Sequence, residues 1–178
     1  MSRQTKRSTA IHEAGHAVVG RVLGMVCGDA TIVPDCEKGE AGYSIICDPW
    51  ATASKYSLDT LSEEEWLRAD DTGIWPIKVR DSRLAFRGRI LTCMAGAEAE
   101  KELLGYYVGG DGDDRRDINI VVDSGHAEIP DWPRYEARAR RQVRRLVRKH
   151  RRKIERVAAA LQRRTTLTAE QIDRLMQD

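Results

Sequence analysis

A mainly α chain of the α+β class, with a small β-hairpin or sheet, is predicted by three observations. Apolar residues recur at three- and four-residue spacing in three long segments, two short β-branched runs stand between the first two of these, and glycine or capping signals close the segments. At 178 residues and 41% hydrophobic content the chain can bury one core and is short for two, so a single domain over 1–178 is expected.

The first helix reads from about Thr5 to Leu23, with Ala10, Ile11, Ala14, Ala17, Val18, Val22 and Leu23 forming its apolar side and Gly24 or Gly28 its stop. Ala14, Gly15 and Ala17 keep its flank slim enough for another helix to approach closely. Ala30-Thr31-Ile32-Val33-Pro34 and Gly42-Tyr43-Ser44-Ile45-Ile46-Cys47 then read as a hairpin or two neighbouring strands. An exposed strand edge there can hold an extended peptide through main-chain pairing, which makes Gly42, Tyr43, Ser44 and Ile45 the candidate substrate-binding strand.

From about Asp48 to Arg80 the pattern weakens into a loop-rich insertion, in which Ser62 and Glu65 match a capping box. Trp50, Trp66 and Trp75 predict that it folds back on the domain, with a lid as one role for it. A buried helix follows from Ser82 to Leu104, ended by Gly105, and Ala95-Gly96-Ala97 permits it to pack closely on the first. The run Gly109 to Ile118 is read as a flexible turn into a helix capped by Asp113 or Asp114, with Asp117 in its first turn. A long helix is predicted from Trp132 to Arg164 on the stripe Val143, Leu146, Val147, Ile154, Val157, Ala158 and Leu161. Thr168 and Gln171 open a short final helix with a capping-box pattern.

His12-Glu13-Ala14-Gly15-His16 carries the chemistry. Histidines four residues apart lie on one helix face, where two neutral imidazoles bind Zn²⁺ and the carboxylate between them takes a proton from water. This is the signature of a zinc-dependent hydrolase, usually a peptidase, with His12 and His16 as metal ligands and Glu13 as catalytic base. Catalytic zinc takes three protein ligands and keeps a fourth position open. The extended H-E-x-x-H-x-x-G-x-x-H class is excluded, because Val19 and Val22 stand where its glycine and third histidine belong. The third ligand then comes either from Glu98, Glu100 or Glu102 in the next long helix or from Asp111, Asp113, Asp114 or Asp117 after the glycine turn, and spacing does not choose between them.

Other classes are bounded by what the chain lacks. Cys27, Cys36, Cys47 and Cys93 have no C-x-x-C spacing and are expected as reduced thiols in or near the core. No run reaches the length of a membrane span and no leader-like apolar stretch precedes the first helix, so a cytoplasmic protein is expected. The formal net charge is only +2, yet acids dominate from Asp59 to Asp71 and bases from Arg134 to Arg164. The basic helix, with Arg138, Arg141, Arg145, Arg148, Lys149, Arg152 and Arg156, is read as a solvated face balanced by acids elsewhere, and nucleic acid is not the expected partner.

The motifs, taken in order, resemble the peptidase domain of the FtsH-type ATP-dependent zinc metalloproteases. The matching pieces are His12 to Val19, Thr31-Ile32-Val33-Pro34, Gly42-Tyr43-Ser44, Ala95-Gly96-Ala97-Glu98-Ala99-Glu100, Asp117-Ile118 and Thr166-Leu167-Thr168. The resemblance implies a helical zincin domain cleaving peptides or unfolded proteins, with Zn²⁺ held by His12, His16 and Asp117. It also makes Glu100 a partner to a histidine, leaving Glu98 and Asp114 as alternative ligands. The family's ATPase module is not matched, since no G-x-x-x-x-G-K-[ST] occurs, and neither is its membrane anchor. A stand-alone relative is therefore expected, served by an ATPase or adaptor in trans, with homo-oligomerisation left open. The competing expectation is a zinc-containing binding or regulatory module with little or no turnover, whose basic helix meets an acidic protein partner or, as the lesser alternative, nucleic acid.

Overall fold

The computed structural model describes residues 3–34, 41–46, 49, 51–53, 62 and 79–177. Within them lie α1 (Arg3–Val22), β1 (Cys27–Thr31), β2 (Tyr43–Ile46), α2 (Val79–Cys93), α3 (Ala95–Leu104), α4 (Gly112–Asp123), α5 (Trp132–Lys149), α6 (Arg151–Arg164), β3 (Thr166–Leu167) and α7 (Ala169–Met176). The chain is mainly helical with one small antiparallel sheet in the order β2-β1-β3. No described helix is long and apolar enough to cross a membrane.

α1 is the axis around which the rest is built. Ala10, Ala14, Ala17, Val18 and Val19 are completely buried, and α3, α6 and the sheet pack around them. The small residues act as the sequence predicts. A Cβ added at Gly15 would stand 2.7 Å from the Ala95 carbonyl oxygen and 2.8 Å from Ala99 Cβ, so only glycine lets the backbones of α1 and α3 come this close. α1 stops at Gly24, whose φ of 74° is open to glycine. Arg21 in its last turn then ties the C-terminal part of the chain to it, bonding Asp173 at 2.6 Å and the Gly28 carbonyl at 3.1 Å.

In the sheet, Ala30 pairs with Ser44 on one side and with Leu167 on the other. The first strand ends three residues earlier than its β-branched run predicts, because Ile32 leaves the ladder and donates its N–H to the Thr165 carbonyl at 2.8 Å. Tyr43, Ser44 and Ile45 lie on β2, which is an edge strand among the described residues. Cys36, Cys47, Glu65 and the three tryptophans at 50, 66 and 75 fall outside the described residues, as does nearly all of the 48–80 insertion. Cys27 is half-buried and Cys93 buried.

Two helices predicted as continuous are broken. The stretch from Ser82 to Leu104 divides at Met94, and the stretch from Trp132 to Arg164 divides at His150, whose φ of −106° and ψ of 18° leave the helical region. Neither break disturbs the apolar periodicity, since Val143 and Val147 before the second one and Ile154, Val157 and Leu161 after it are all fully buried. α4 also begins earlier than predicted, at Gly112. Its N-cap position is Asp111 rather than Asp113 or Asp114, and Asp117 falls in the second turn, not the first. The final helix carries the predicted capping box, with Thr168 and Gln171 bonding each other's backbone.

The α1–α3 contact generates a stability test. Gly15→Ala gains about 1 kcal/mol of helix propensity, but overpacking against backbone costs about 1–3 kcal/mol. The expected outcome is a lower urea midpoint, and a raised midpoint would mean that the two helices have room to separate.

Candidate metal centre

The two motif imidazoles are held in one orientation by acceptors that no helix periodicity reveals. His12 Nδ1 lies 2.6 Å from Glu100 Oε1 on α3, and His16 Nδ1 lies 2.7 Å from the Thr92 carbonyl oxygen at the end of α2. The break at Met94 makes the second contact available, because in a continuous helix the Thr92 carbonyl would face the N–H four residues on, at Gly96. With each Nδ1 engaged, both Nε2 atoms are turned to the same point. The rings stand 4.7 Å apart, edge to face.

At that point sits Asp114 from α4. Its Oδ2 is 3.2 Å from His12 Nε2 and 3.2 Å from His16 Nε2. Ligand bonds of about 2.0–2.2 Å at tetrahedral angles put neighbouring donor atoms about 3.3 Å apart, so this spacing fits a shared cation. Among the described residues, His12, His16 and Asp114 are the acid, histidine or cysteine groups close enough to share one.

The charge environment favours a positive centre. Burial works against charge on His12, but hydrogen bonds to Asp114 and Glu100 and the nearby Glu13 outweigh it and raise the imidazole to about 10. Burial likewise opposes charge on His16, and the Asp114 carboxylate raises it. For Asp114 burial pulls upward, yet the two imidazoles hold it well below the usual carboxylate range. Burial pushes the Cys93 thiol in the adjacent wall up to about 12, which leaves it a neutral bystander.

The space itself is kept by Gly96. A Cβ there would lie 2.4 Å from His12 Nε2 and 2.5 Å from His16 Nε2, on the ground a shared ion needs. Zn²⁺ fits this donor set of two imidazole nitrogens and a carboxylate oxygen, with room for an open position toward the cleft.

That cleft has a volume of about 310 Å³ and is walled by α1, β2, α2, α4 and the loop around Gly109. Glu13 is 5% exposed and lines it beside the imidazoles. Gly42, Tyr43, Ser44 and Ile46 form its strand wall, whereas Ile45, expected with them, does not line it.

Asp117 is not brought to the imidazoles. Its carboxylate pairs with Arg89, and that arginine also donates to the Ile46 carbonyl at 2.7 Å, so Arg89 clamps α4 to β2 across the cleft. Asp114 and Asp117 share a face of α4 at a separation of three residues, which is why sequence spacing does not separate them. Glu98 turns the other way, to Lys101 and Arg140 at 3.2 Å and Arg144 at 3.1 Å. Glu100 takes the expected place beside a histidine, with its second oxygen accepting the Val108 N–H at 2.9 Å. The Thr92 carbonyl and Arg89 left no signal in the sequence, one being backbone and the other one arginine among many.

No family model matches the chain, and no curated protein matches it significantly. The geometry therefore stands on its own residues.

Two outcomes follow for metal content, read by elemental mass spectrometry. Asp114→Ala should lose the bound zinc while Asp117→Ala keeps it, and the reverse result would return the third-ligand role to Asp117. Gly96→Ala should fold, as judged by circular dichroism, yet bind zinc at least tenfold more weakly.

Proposed function

We propose that this protein is a zinc-dependent endopeptidase whose metal ligands are His12, His16 and Asp114. The observation that carries the reading is the convergence of both Nε2 atoms and Asp114 Oδ2 on one point, beside a buried Glu13 and at the floor of a cleft with a strand wall. The order of motifs resembling the FtsH-type peptidase domain points the same way, with the ligand aspartate one helical turn before the Asp117 position.

Zn²⁺ held by His12, His16 and Asp114 would polarise a scissile carbonyl and acidify a bound water. Glu13 accepts the proton of the attacking water on its carboxylate and delivers it to the departing amine nitrogen as the C–N bond breaks. Glu100 and the Thr92 carbonyl hold the two rings so that their Nε2 atoms face the position the ion would take. The β2 edge at Tyr43 and Ser44 aligns an extended backbone by main-chain pairing, a recognition that ignores side-chain identity and suits peptides and unfolded proteins. An ATPase or adaptor acting in trans and a cytoplasmic setting belong to the same proposal.

Glu13 touches the reacting water but not the metal, so Glu13→Gln should keep one zinc per chain and lower casein cleavage by about 10²–10⁴-fold. Cleavage surviving in the variant would overturn the assignment. A wild-type protein that binds zinc and cleaves neither casein nor peptides would instead make this a zinc-containing binding module.

A further inference from the structure

From Trp132 to Arg164 the chain carries 14 Lys and Arg residues against two acids, Glu136 and Glu155. Both acids are taken, Glu136 by Arg140 and Glu155 by Arg151. Two further arginines point inward or sideways to α3, where Arg144 meets Glu98 and Arg148 meets Glu102. What remains on α5 is a row, Arg134, Arg138, Arg141 and Arg145, spaced by four, three and four residues and exposed throughout. That spacing keeps them on one face over about 16 Å. None of the four is paired with an acid among the described residues, and the polar contact within the row is Arg145 Nε donating to the Arg141 carbonyl at 3.4 Å. Lys149 and Arg152 extend the same basic surface past the break at His150.

We infer that this ridge is a docking surface for duplex DNA, read through its phosphates. Like charges four residues apart destabilise a helix, so an unneutralised row has a cost that an external polyanion removes. Arginine, rather than lysine, makes up the whole row, and its planar fork bonds two phosphate oxygens at once. A lipid surface is the poorer fit, because the apolar stripe of α5, Ala139, Val143 and Val147, is already spent in the core and leaves nothing to insert into a bilayer. A single strand is poorer too: Trp132 and Tyr135 stack on each other, half-buried, and offer no open ring to a base. A helix about 10–12 Å across fits the roughly 12 Å major groove of B-form DNA, whereas the major groove of duplex RNA is too narrow. Contacts of this kind carry no base readout, so the affinity should be independent of sequence.

α3 separates the ridge from the metal. Its Gly96 and Glu100 face the histidines and its Glu98 faces α5, so a duplex on the ridge leaves the cleft open.

The test is fluorescence anisotropy with a 20-base-pair duplex, using the full chain and Arg138→Gln/Arg141→Gln/Arg145→Gln. The substituted side chains are exposed and hold no acid, and zinc content together with circular dichroism checks that the variant is folded. Four phosphate contacts predict about a 10²-fold loss of affinity between 50 and 200 mM salt, and the triple variant should bind at least tenfold more weakly with a shallower salt slope. No complex at 50 mM salt, a complex indifferent to the triple substitution, or tighter binding to phosphatidylserine vesicles than to the duplex would each overturn the inference. None of these results depends on whether the cleft is proteolytic.

Discussion

Everything at the candidate metal centre depends on how closely α1 and α3 approach. Two glycines set that distance: Gly15 on α1 lies against the Ala95 carbonyl, and Gly96 on α3 lies against both Nε2 atoms. Dispersion and burial draw the alanine-rich faces together, and the missing Cβ atoms decide how far they travel. At that separation Glu100 reaches His12, and the carbonyl freed at the end of α2 reaches His16. A wider gap would leave two imidazoles on a helix with no fixed orientation and no reason to converge.

The helix carrying Gly96 is held by charge as well as by packing. Glu98 and Glu100 are both 2% exposed and lie two residues apart, so they turn to opposite sides. One is surrounded by Lys101, Arg140 and Arg144, the other by His12 and the Val108 amide. Buried carboxylates are tolerated only when so satisfied. The pair thereby locks the rotation of α3 between the motif helix and the basic α5. Arg89 does a comparable task across the cleft, joining β2 to α4 so that the strand edge and Asp114 keep a common frame.

These arrangements give the molecule two chemically opposite faces. One is a cleft with acids around a centre that favours a cation, walled on one side by the β2 strand. The other is an arginine row whose nearest acids are already engaged. α3 lies between them.

Much of the fold was legible because burial imposes periodicity: the stripe on α1, the apolar stripe through α5 and α6 and the capping box before α7 all follow from side-chain spacing. His12, Glu13 and His16 were equally legible, since a helix fixes their common face. Breaks at Met94 and His150 were not, because neither interrupts the apolar repeat. Asp114 could not be told from Asp117, since residues three apart share a helix face and only the placement of α4 decides which carboxylate arrives. By itself the sequence determined the metal motif, the slim faces and the helical class, all consequences of local geometry. The tertiary structure alone decided the third carboxylate, the acceptors that orient the rings and which arginines go unpaired, because each rests on contacts between elements far apart in the chain.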